Sequence, residues 1–151
     1  MTYQVKVETL SPRILAAVRK RVAAGNVPAA FKPALDQVWA FLGKNKGLRT
    51  DGNNIFLYHH EDPAMMPIDF GVEVVRRFER EGEVDCVTTP AGEAAVVLHR
   101  GPYSELAVAH RAVQEWCRTN GRAIGTHSME IYGDWHSDAN KLETEIVYFL
   151  K

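Results

Sequence analysis

The chain has 151 residues, of which 46% are hydrophobic and 25% are charged, so it is long enough for one packed domain and unlike a disordered chain. The formal net charge is −1, whereas a free-standing DNA-binding domain is usually basic, so direct nucleic-acid binding is not expected. No apolar run reaches the length of a membrane span, and the first residues do not resemble a signal peptide. We therefore expect a cytoplasmic protein whose two cysteines, Cys86 and Cys117, stay reduced.

The first half of the chain reads as strands around one helix. Segment 3–10 alternates apolar and charged residues, as a half-buried strand does, and segment 14–22 fits either a strand or a helix. A helix is predicted from Pro28 to Leu42, where apolar residues recur at helical spacing. The remaining elements of this half are predicted as a turn at 51–54, a strand at 54–59, a loop with two prolines at 60–69 and a strand at 70–78.

The second half shows clearer boundaries. Strands are predicted at 84–89, 93–100, 127–132 and 142–150. Between the second and third of these, Ser104 is the predicted N-cap of a helix whose apolar stripe ends near Cys117 and whose stop is Asn120-Gly121.

The two halves show a weak internal repeat. Segment 16-AAVRKR-21 parallels 95-AVVLHR-100, and 56-FLY-58 parallels 130-EIY-132. Further along, 72-VEVV-75 parallels 144-TEIV-147, which makes Glu73 the counterpart of Glu145. The repeat predicts a duplicated β-α-β-β unit, and it assigns segment 14–22 as a strand because its partner is one.

The second half resembles a known family. The strings 101-GPYSELAVAHRAVQEWCRTNG-121, 130-EIY-132 and 143-ETEIVYFL-150 are similar to the GyrI-like (gyrase-inhibitor-like) small-molecule-binding family, which also supplies the effector-binding domains of bacterial multidrug-responsive transcription activators. The resemblance implies an α+β fold: two β-α-β-β halves related by a pseudo-two-fold axis, an antiparallel sheet, two main helices and a central ligand cavity. We expect a single domain over 1–151, with halves at about 1–83 and 84–151. The activators carry a helix-turn-helix domain before this module, and since nothing precedes Tyr3 except two residues, a stand-alone module is expected here.

Glu145 is the first candidate for the ligand site. It interrupts a strand that is apolar on both faces, so the carboxylate should lose hydration and its pKa should rise unless it finds a partner. From the strand pattern alone, a neighbouring Arg or Lys or a solvated sheet edge explains Glu145 equally well. The resemblance instead implies that Glu145 is the cavity glutamate, the counter-charge for a lipophilic cation.

Aromatic residues are the candidate walls of the same cavity. The resemblance assigns Tyr103 and Tyr132 to it, and the internal repeat adds Tyr58, Trp39 and Glu73. Trp135 lies in the polar loop 133–141 and is predicted to act as a lid, and Met66 occupies the corresponding loop of the first half.

The predicted function is capture of hydrophobic, often cationic, multidrug-type ligands, because a carboxylate and aromatic rings together suit such cations. Some family members are hydrolases of strained cyclopropane-bearing electrophiles, and in that alternative Glu145 and Tyr103 would be catalytic. The family name suggests a third possibility, a gyrase-inhibitor-type protein partner. No cofactor or metal is predicted, since adjacent His59 and His60 should point to opposite faces of a strand, and a monomer or homodimer is expected.

Overall fold

A computed structural model describes residues 3–23, 25–62 and 64–151. They form an eight-stranded sheet and two α-helices. The elements in chain order are β1 (Lys6–Leu10), β2 (Ile14–Ala23), α1 (Val27–Lys44), β3 (Arg49–His59), β4 (Met65–Val74), β5 (Val84–Thr88), β6 (Gly92–Arg100), α2 (Leu106–Thr119), β7 (Ile124–Tyr132) and β8 (Glu143–Leu150). Short 3-10 helices stand at Lys46–Leu48, Tyr103–Glu105 and Ala139–Lys141.

The sheet order confirms the duplicated fold. The order is β1-β6-β8-β7-β3-β4-β2-β5, and every pairing is antiparallel. The unit β2-α1-β3-β4 supplies one half of the sheet and β6-α2-β7-β8 the other, with β3 and β7 meeting at the centre. Segment 14–22 is a strand, as the repeat indicated.

Both helices cover the same face of the sheet. Buried residues of α1 pack against β2, β3 and β4, and buried residues of α2 pack against β6 and β8. The apolar positions Leu35, Val38 and Leu42 of α1 recur at helical spacing and are buried, and Pro28 stands in the first turn of that helix, where its missing N–H is not needed.

The other face carries no helix among the described residues, yet it is also apolar and buried. Side chains such as Leu15, Leu57 and Val147 form one cluster there. Because no described helix covers them, their burial requires the twisted sheet to curl so that they pack against one another. We call this side the helix-free face.

Three local predictions were wrong. Residues 51–54 are not a separate turn but lie within β3, where the pairing with β4 shifts register between Arg49 and Asn54. The predicted loop 60–69 ends early, because β4 already begins at Met65 and Pro67 pairs with Arg21 inside it; its other proline, Pro63, lies outside the described residues. Ser104 is not the N-cap of α2, since it belongs to the preceding 3-10 helix and Glu105 takes the cap position.

No helix among the described residues combines the length and apolar character needed to cross a lipid bilayer.

Candidate functional site

A cavity of about 770 Å³ opens between α1 and α2 above the central strands β3 and β7. Its walls include Trp39 from α1, Tyr58 from β3, Tyr103 from the turn before α2, Tyr132 from β7 and Trp135 from the following loop. These five aromatic residues come from distant parts of the sequence, and the structure brings all of them together around one cavity.

The floor of this cavity is Glu130 of β7. Its side chain is buried, with only 5% of the residue exposed. Both carboxylate oxygens accept hydrogen bonds. Oε1 accepts hydrogen bonds from the hydroxyls of Tyr58 at 2.6 Å and Tyr132 at 2.8 Å, while Oε2 lies 2.6 Å from Nε2 of His110. One carboxylate thus has three donors, none of which is permanently charged.

Titration behaviour follows from these contacts. Burial raises the pKa of Glu130, but the hydrogen bonds from His110, Tyr58 and Tyr132, together with the positive charge of a protonated His110, outweigh it, and the pKa lies below the ordinary glutamate value. Burial and the nearby Glu130 charge raise the pKa of Tyr58 and Tyr132 well above that of an exposed tyrosine. The two hydroxyls therefore remain protonated donors, and Glu130 remains an anion at neutral pH.

The aromatic walls are held by contacts of their own. The rings of Tyr103 and Tyr132 meet edge to face with centroids 5.5 Å apart, and Phe56 packs against Tyr132 at 4.9 Å. Trp39 donates from Nε1 to Oδ1 of Asn54 at 3.2 Å. Trp135 lines the cavity and is 76% exposed, so it stands at the cavity mouth.

A second cavity of about 490 Å³ lies on the other side of Tyr58, Glu130 and His110. Met66 lines this cavity rather than the aromatic one. Its wall is more polar: His60 Nε2 lies 2.7 Å from the Ser128 hydroxyl, and Gln114 donates to the Tyr148 oxygen at 3.1 Å. The two cavities share the Glu130 carboxylate as their partition.

Glu145 does not line either of these cavities. In the antiparallel pairing of β7 and β8, Glu130 stands opposite Ile146 and Glu145 stands opposite Ile131. Since paired residues share a face, Glu145 lies on the helix-free face, beside Lys6 and Leu98. Burial raises the pKa of Glu145, a trend that Arg13 opposes and Glu8 reinforces.

Glu73 is also on the helix-free face, where its Oε1 accepts from Nη1 of Arg13 at 3.1 Å. The match of Glu73 with Glu145 was wrong: Phe56 pairs with Phe70 and its counterpart Glu130 pairs with Ile146, so the residue equivalent to Glu145 is Asp69. The sheet face assigned to Glu73 and Glu145 was wrong as well. The alternation of β8 is apolar on both faces, so it carries no signal for which face the helices cover.

Two residues of the site were missed, Glu130 and His110. A signal for Glu130 existed: it stands two residues before Tyr132 on a strand, so it had to share the face of a tyrosine that was already a cavity candidate. His110 lies one helical turn from Leu106 and Val113 at the edge of the apolar stripe of α2, which is a weak signal because a histidine there is often a core residue.

His59 and His60 point to opposite faces, as their adjacency predicts. His59 Nε2 lies 2.6 Å from Oδ2 of Asp69 on the helix-free face, whereas His60 contacts Ser128 on the helix side. In the described parts of the chain, no group of three His, Cys, Asp or Glu side chains is arranged to hold a metal ion.

Several solved structures share this fold. The chain is 24% identical to the EcmrR C-terminal domain, with a TM-score of 0.83, and the match covers 100% of this chain and 99% of that one; it covers 57% of the EcmrR chain in a complex with DNA. SAV2435 bound to tetraphenylphosphonium is 14% identical, with a TM-score of 0.67 over 100% of this chain and 94% of that one. A hydrolase from Listeria innocua is 14% identical, with a TM-score of 0.69 over 98% and 92% of the two chains.

At these identities the structural likeness establishes the fold alone. No protein of curated function matches the chain by sequence. The profile of the GyrI-like small molecule binding domain matches residues 3–150, which is nearly the whole chain. The chain therefore belongs to the GyrI-like small-molecule-binding domain family.

Proposed function

We propose that this chain binds lipophilic organic cations in the cavity between α1 and α2, with Glu130 as the counter-charge. The observation that carries the proposal is that the negative charge of Glu130 has no permanently charged partner. Its carboxylate is buried and ionised, yet its partners are the neutral hydroxyls of Tyr58 and Tyr132 and the imidazole of His110, none of which is permanently charged. A buried anion without a fixed positive partner attracts a cation that can itself leave water readily.

The cavity walls suit the apolar part of such a ligand. A volume of about 770 Å³ falls within the usual range for small-molecule sites. The walls offer the ring faces and edges of Trp39, Tyr103 and Trp135. Delocalised cations of different shapes can stack on such rings. A structurally similar protein has been solved with tetraphenylphosphonium, a cation of this class, which supports the choice of probe.

Binding fits the geometry better than hydrolysis does. A general base works best with a pKa near the operating pH, but the hydrogen bonds to Glu130 lower its pKa. Its oxygens already accept hydrogen bonds from Tyr58, Tyr132 and His110, which leaves only one of about four lone-pair sites for a water molecule. Glu145, the other candidate base, has no tyrosine hydroxyl among its hydrogen-bonding partners and lies on the helix-free face.

Calorimetric titration with tetraphenylphosphonium tests the proposal. Wild type should bind it saturably at pH about 8, and Glu130→Gln should lose at least about 100-fold in affinity, which corresponds to roughly 2.8 kcal/mol. Neutral triphenylphosphine oxide has a similar shape, and its affinity should change by less than about threefold because it has no net charge to pair with the carboxylate.

Glu145→Gln is the matched control. It makes the same chemical change on the helix-free face, so the affinity for either probe should equal that of wild type. A loss in Glu145→Gln with none in Glu130→Gln would overturn the assignment and restore the glutamate that the sequence favoured. Equal losses for the cation and the neutral probe in Glu130→Gln would show that charge is not what Glu130 contributes.

A further inference from the structure

We infer that His110 is an internal counter-cation that competes with the ligand, so that cation binding expels one proton and the charge state of His110 selects between cationic and neutral ligands. The inference rests on the proposed function and concerns the same cavity. It starts from the position of the imidazole, which bridges two buried groups. His110 Nε2 lies 2.6 Å from Oε2 of Glu130, and Nδ1 lies 2.7 Å from the hydroxyl oxygen of Tyr148.

The neutral imidazole completes a hydrogen-bonded chain. Gln114 donates to the Tyr148 oxygen, the Tyr148 hydroxyl donates to Nδ1 of His110, and the Nε2 hydrogen of His110 donates to Glu130. Every donor in this chain then has an acceptor. The cavity in this state holds the Glu130 anion with no positive charge beside it, which is the state that attracts a cation.

The protonated imidazole makes a different site. Nδ1 would now donate to the Tyr148 oxygen, so the Tyr148 hydroxyl must turn away to another acceptor, while the imidazolium forms an ion pair with Glu130. That ion pair cancels the cavity charge. Coulomb repulsion between the imidazolium and an incoming organic cation, both close to one carboxylate, then opposes binding.

Two sets of contacts favour opposite protonation states of the His110 imidazole. The Glu130 charge favours the protonated imidazole, whereas the Tyr148–Gln114 chain favours the neutral one. The His110 side chain is 21% exposed, against 7% for the Glu130 side chain, and the second cavity gives the imidazole a route for proton exchange with solvent.

The residues around His110 single it out as the group whose protonation changes the charge beside Glu130. The titratable or charged groups that face it or share its two cavities are Arg111 from α2 itself, Tyr103 from the turn before α2, Tyr58 and His60 from β3, Glu130 and its partner Tyr132 from β7, and Tyr148 from β8. The other described residues that line the second cavity from β2, α1 and β4 are uncharged. The four tyrosines have raised pKa values and Glu130 a lowered one, so none of these five titrates between pH about 5 and 8.5. Burial lowers the pKa of His60, and the positive charges of His127, His110 and His59 lower it further; His60 contacts Ser128 and makes no hydrogen bond to Glu130.

The exchange is balanced in charge. The protein with protonated His110 takes up one organic cation and releases one proton to solvent, so the net charge of the complex is unchanged. By linkage, lowering the pH must weaken cation binding by the same free energy with which the cation drives out the proton. A neutral ligand brings no such competition and should bind equally well in both states.

The test measures affinity against pH with two probes. The dissociation constant of wild type for tetraphenylphosphonium should rise by at least about tenfold between pH about 8 and about 5.5, since one proton competes with the ligand. That for triphenylphosphine oxide should change by less than about threefold. Calorimetry in buffers of different ionisation enthalpy should show close to one proton released per cation bound at the acidic end.

Two histidine variants identify the side chain that releases the proton when the cation binds. His110→Gln keeps an N–H that can reach Glu130 but cannot take up a proton, so tetraphenylphosphonium affinity should become independent of pH. His60→Gln, on the other wall of the second cavity, should keep the wild-type pH dependence. The proton count on the unaltered protein provides the same test if His110→Gln does not fold.

The outcomes separate the two proposals. Tetraphenylphosphonium binding that is tight but flat with pH, with no proton released, would overturn the role of His110 and leave the proposed function standing. A pH dependence that disappears in His60→Gln rather than in His110→Gln would also overturn it. No binding of tetraphenylphosphonium at any pH would refute the proposed function and this inference together.

Discussion

The two faces of the sheet each bury a carboxylate, and the two carboxylates are compensated in different ways. Asp69 on the helix-free face accepts from Nε and Nη2 of Arg19 at 2.7 and 3.0 Å and contacts His59. A guanidinium is charged at every accessible pH, so Asp69 is neutralised permanently. Glu130 on the helix-covered face has two phenols and an imidazole instead, so its charge is free whenever the imidazole is neutral.

The space around Asp69 and Glu130 differs as well, although the helix-free face has a concavity of its own, of about 720 Å³, lined by Glu145, Lys6 and Leu98. On the helix-free face, β2 approaches β4 so closely that a Cβ added to Gly71 would lie 2.7 Å from the carbonyl oxygen of Ala16 and 2.8 Å from Cβ of Ala17. On the other face, the helices stand apart far enough to leave two cavities. A buried carboxylate indicates a ligand site only where uncharged compensation and open volume occur together.

The largest expected effect comes from neutralising the two carboxylates in turn. Asp69→Asn should lower the free energy of unfolding by about 3 kcal/mol, because it removes charge-assisted hydrogen bonds from Arg19 and His59. Glu130→Gln should cost only about 1 kcal/mol, because the amide oxygen can still accept from Tyr58 and Tyr132 while its NH₂ donates to the other tautomer of His110. Urea denaturation of both variants measures the difference, and equal losses would contradict the distinction.

The contribution of the Asp69 charge to stability should depend on pH. Burial raises the pKa of Asp69, but hydrogen bonds from His59 and Arg19 outweigh it and hold the pKa below the ordinary value. A carboxyl with a depressed folded pKa stabilises the protein above its unfolded pKa of about 3.9, and the stabilisation is lost as the pH falls through the folded pKa. The stability gap between wild type and Asp69→Asn should therefore be full at neutral pH and close progressively below pH about 4. A gap that stays constant down to pH about 2 would show that charge is not its cause.

The next effect concerns volume. Gly71→Ala should lower the free energy of unfolding by about 2 kcal/mol, because the methyl group meets β2 backbone that cannot move aside. Ala107→Leu enlarges an exposed residue that lines both cavities, so it should change stability by less than about 0.5 kcal/mol while weakening tetraphenylphosphonium binding. Thermal unfolding and ligand titration of both variants measure these effects. A Gly71→Ala protein as stable as wild type would show that β2 can move aside for the added methyl group.

The smallest expected effect is at the cavity mouth. Trp135→Ala should weaken tetraphenylphosphonium binding by about threefold to tenfold, the contribution of one aromatic contact, because the indole is exposed in the free protein. Stability should stay within about 0.5 kcal/mol of wild type. Val75→Ala, another exposed apolar residue but outside the described cavity walls, is the control and should leave affinity unchanged. Affinity unaltered in Trp135→Ala would remove this residue from the site.

Much of the fold and the site could be predicted from the sequence. The apolar, β-branched runs of β6 and β8 and the helical spacing along α2 are local patterns, and the internal repeat assigned the ambiguous segment of β2 correctly. The turn predicted at 51–54 failed because Gly52 and the asparagines lie within an irregular strand, where pairing outweighs local turn preference. Pro67 likewise lies within β4, although a proline usually argues against a strand interior.

From the sequence alone it could be predicted that aromatic residues of both halves, among them Tyr58 and Tyr132, line one cavity, because equivalent residues on strands beside the symmetry axis of a repeat come close across it. Both residues do line the cavity between the helices. Which glutamate lies among them depends on how the segments pack in three dimensions. Strand alternation establishes that Glu145 and Ile146 face opposite ways, but the choice between the two sides depends on where α1 and α2 pack, a contact between segments far apart in the chain. The roles of Glu130 and His110 follow from that same packing, since their hydrogen bonds join β3, β7, β8 and α2.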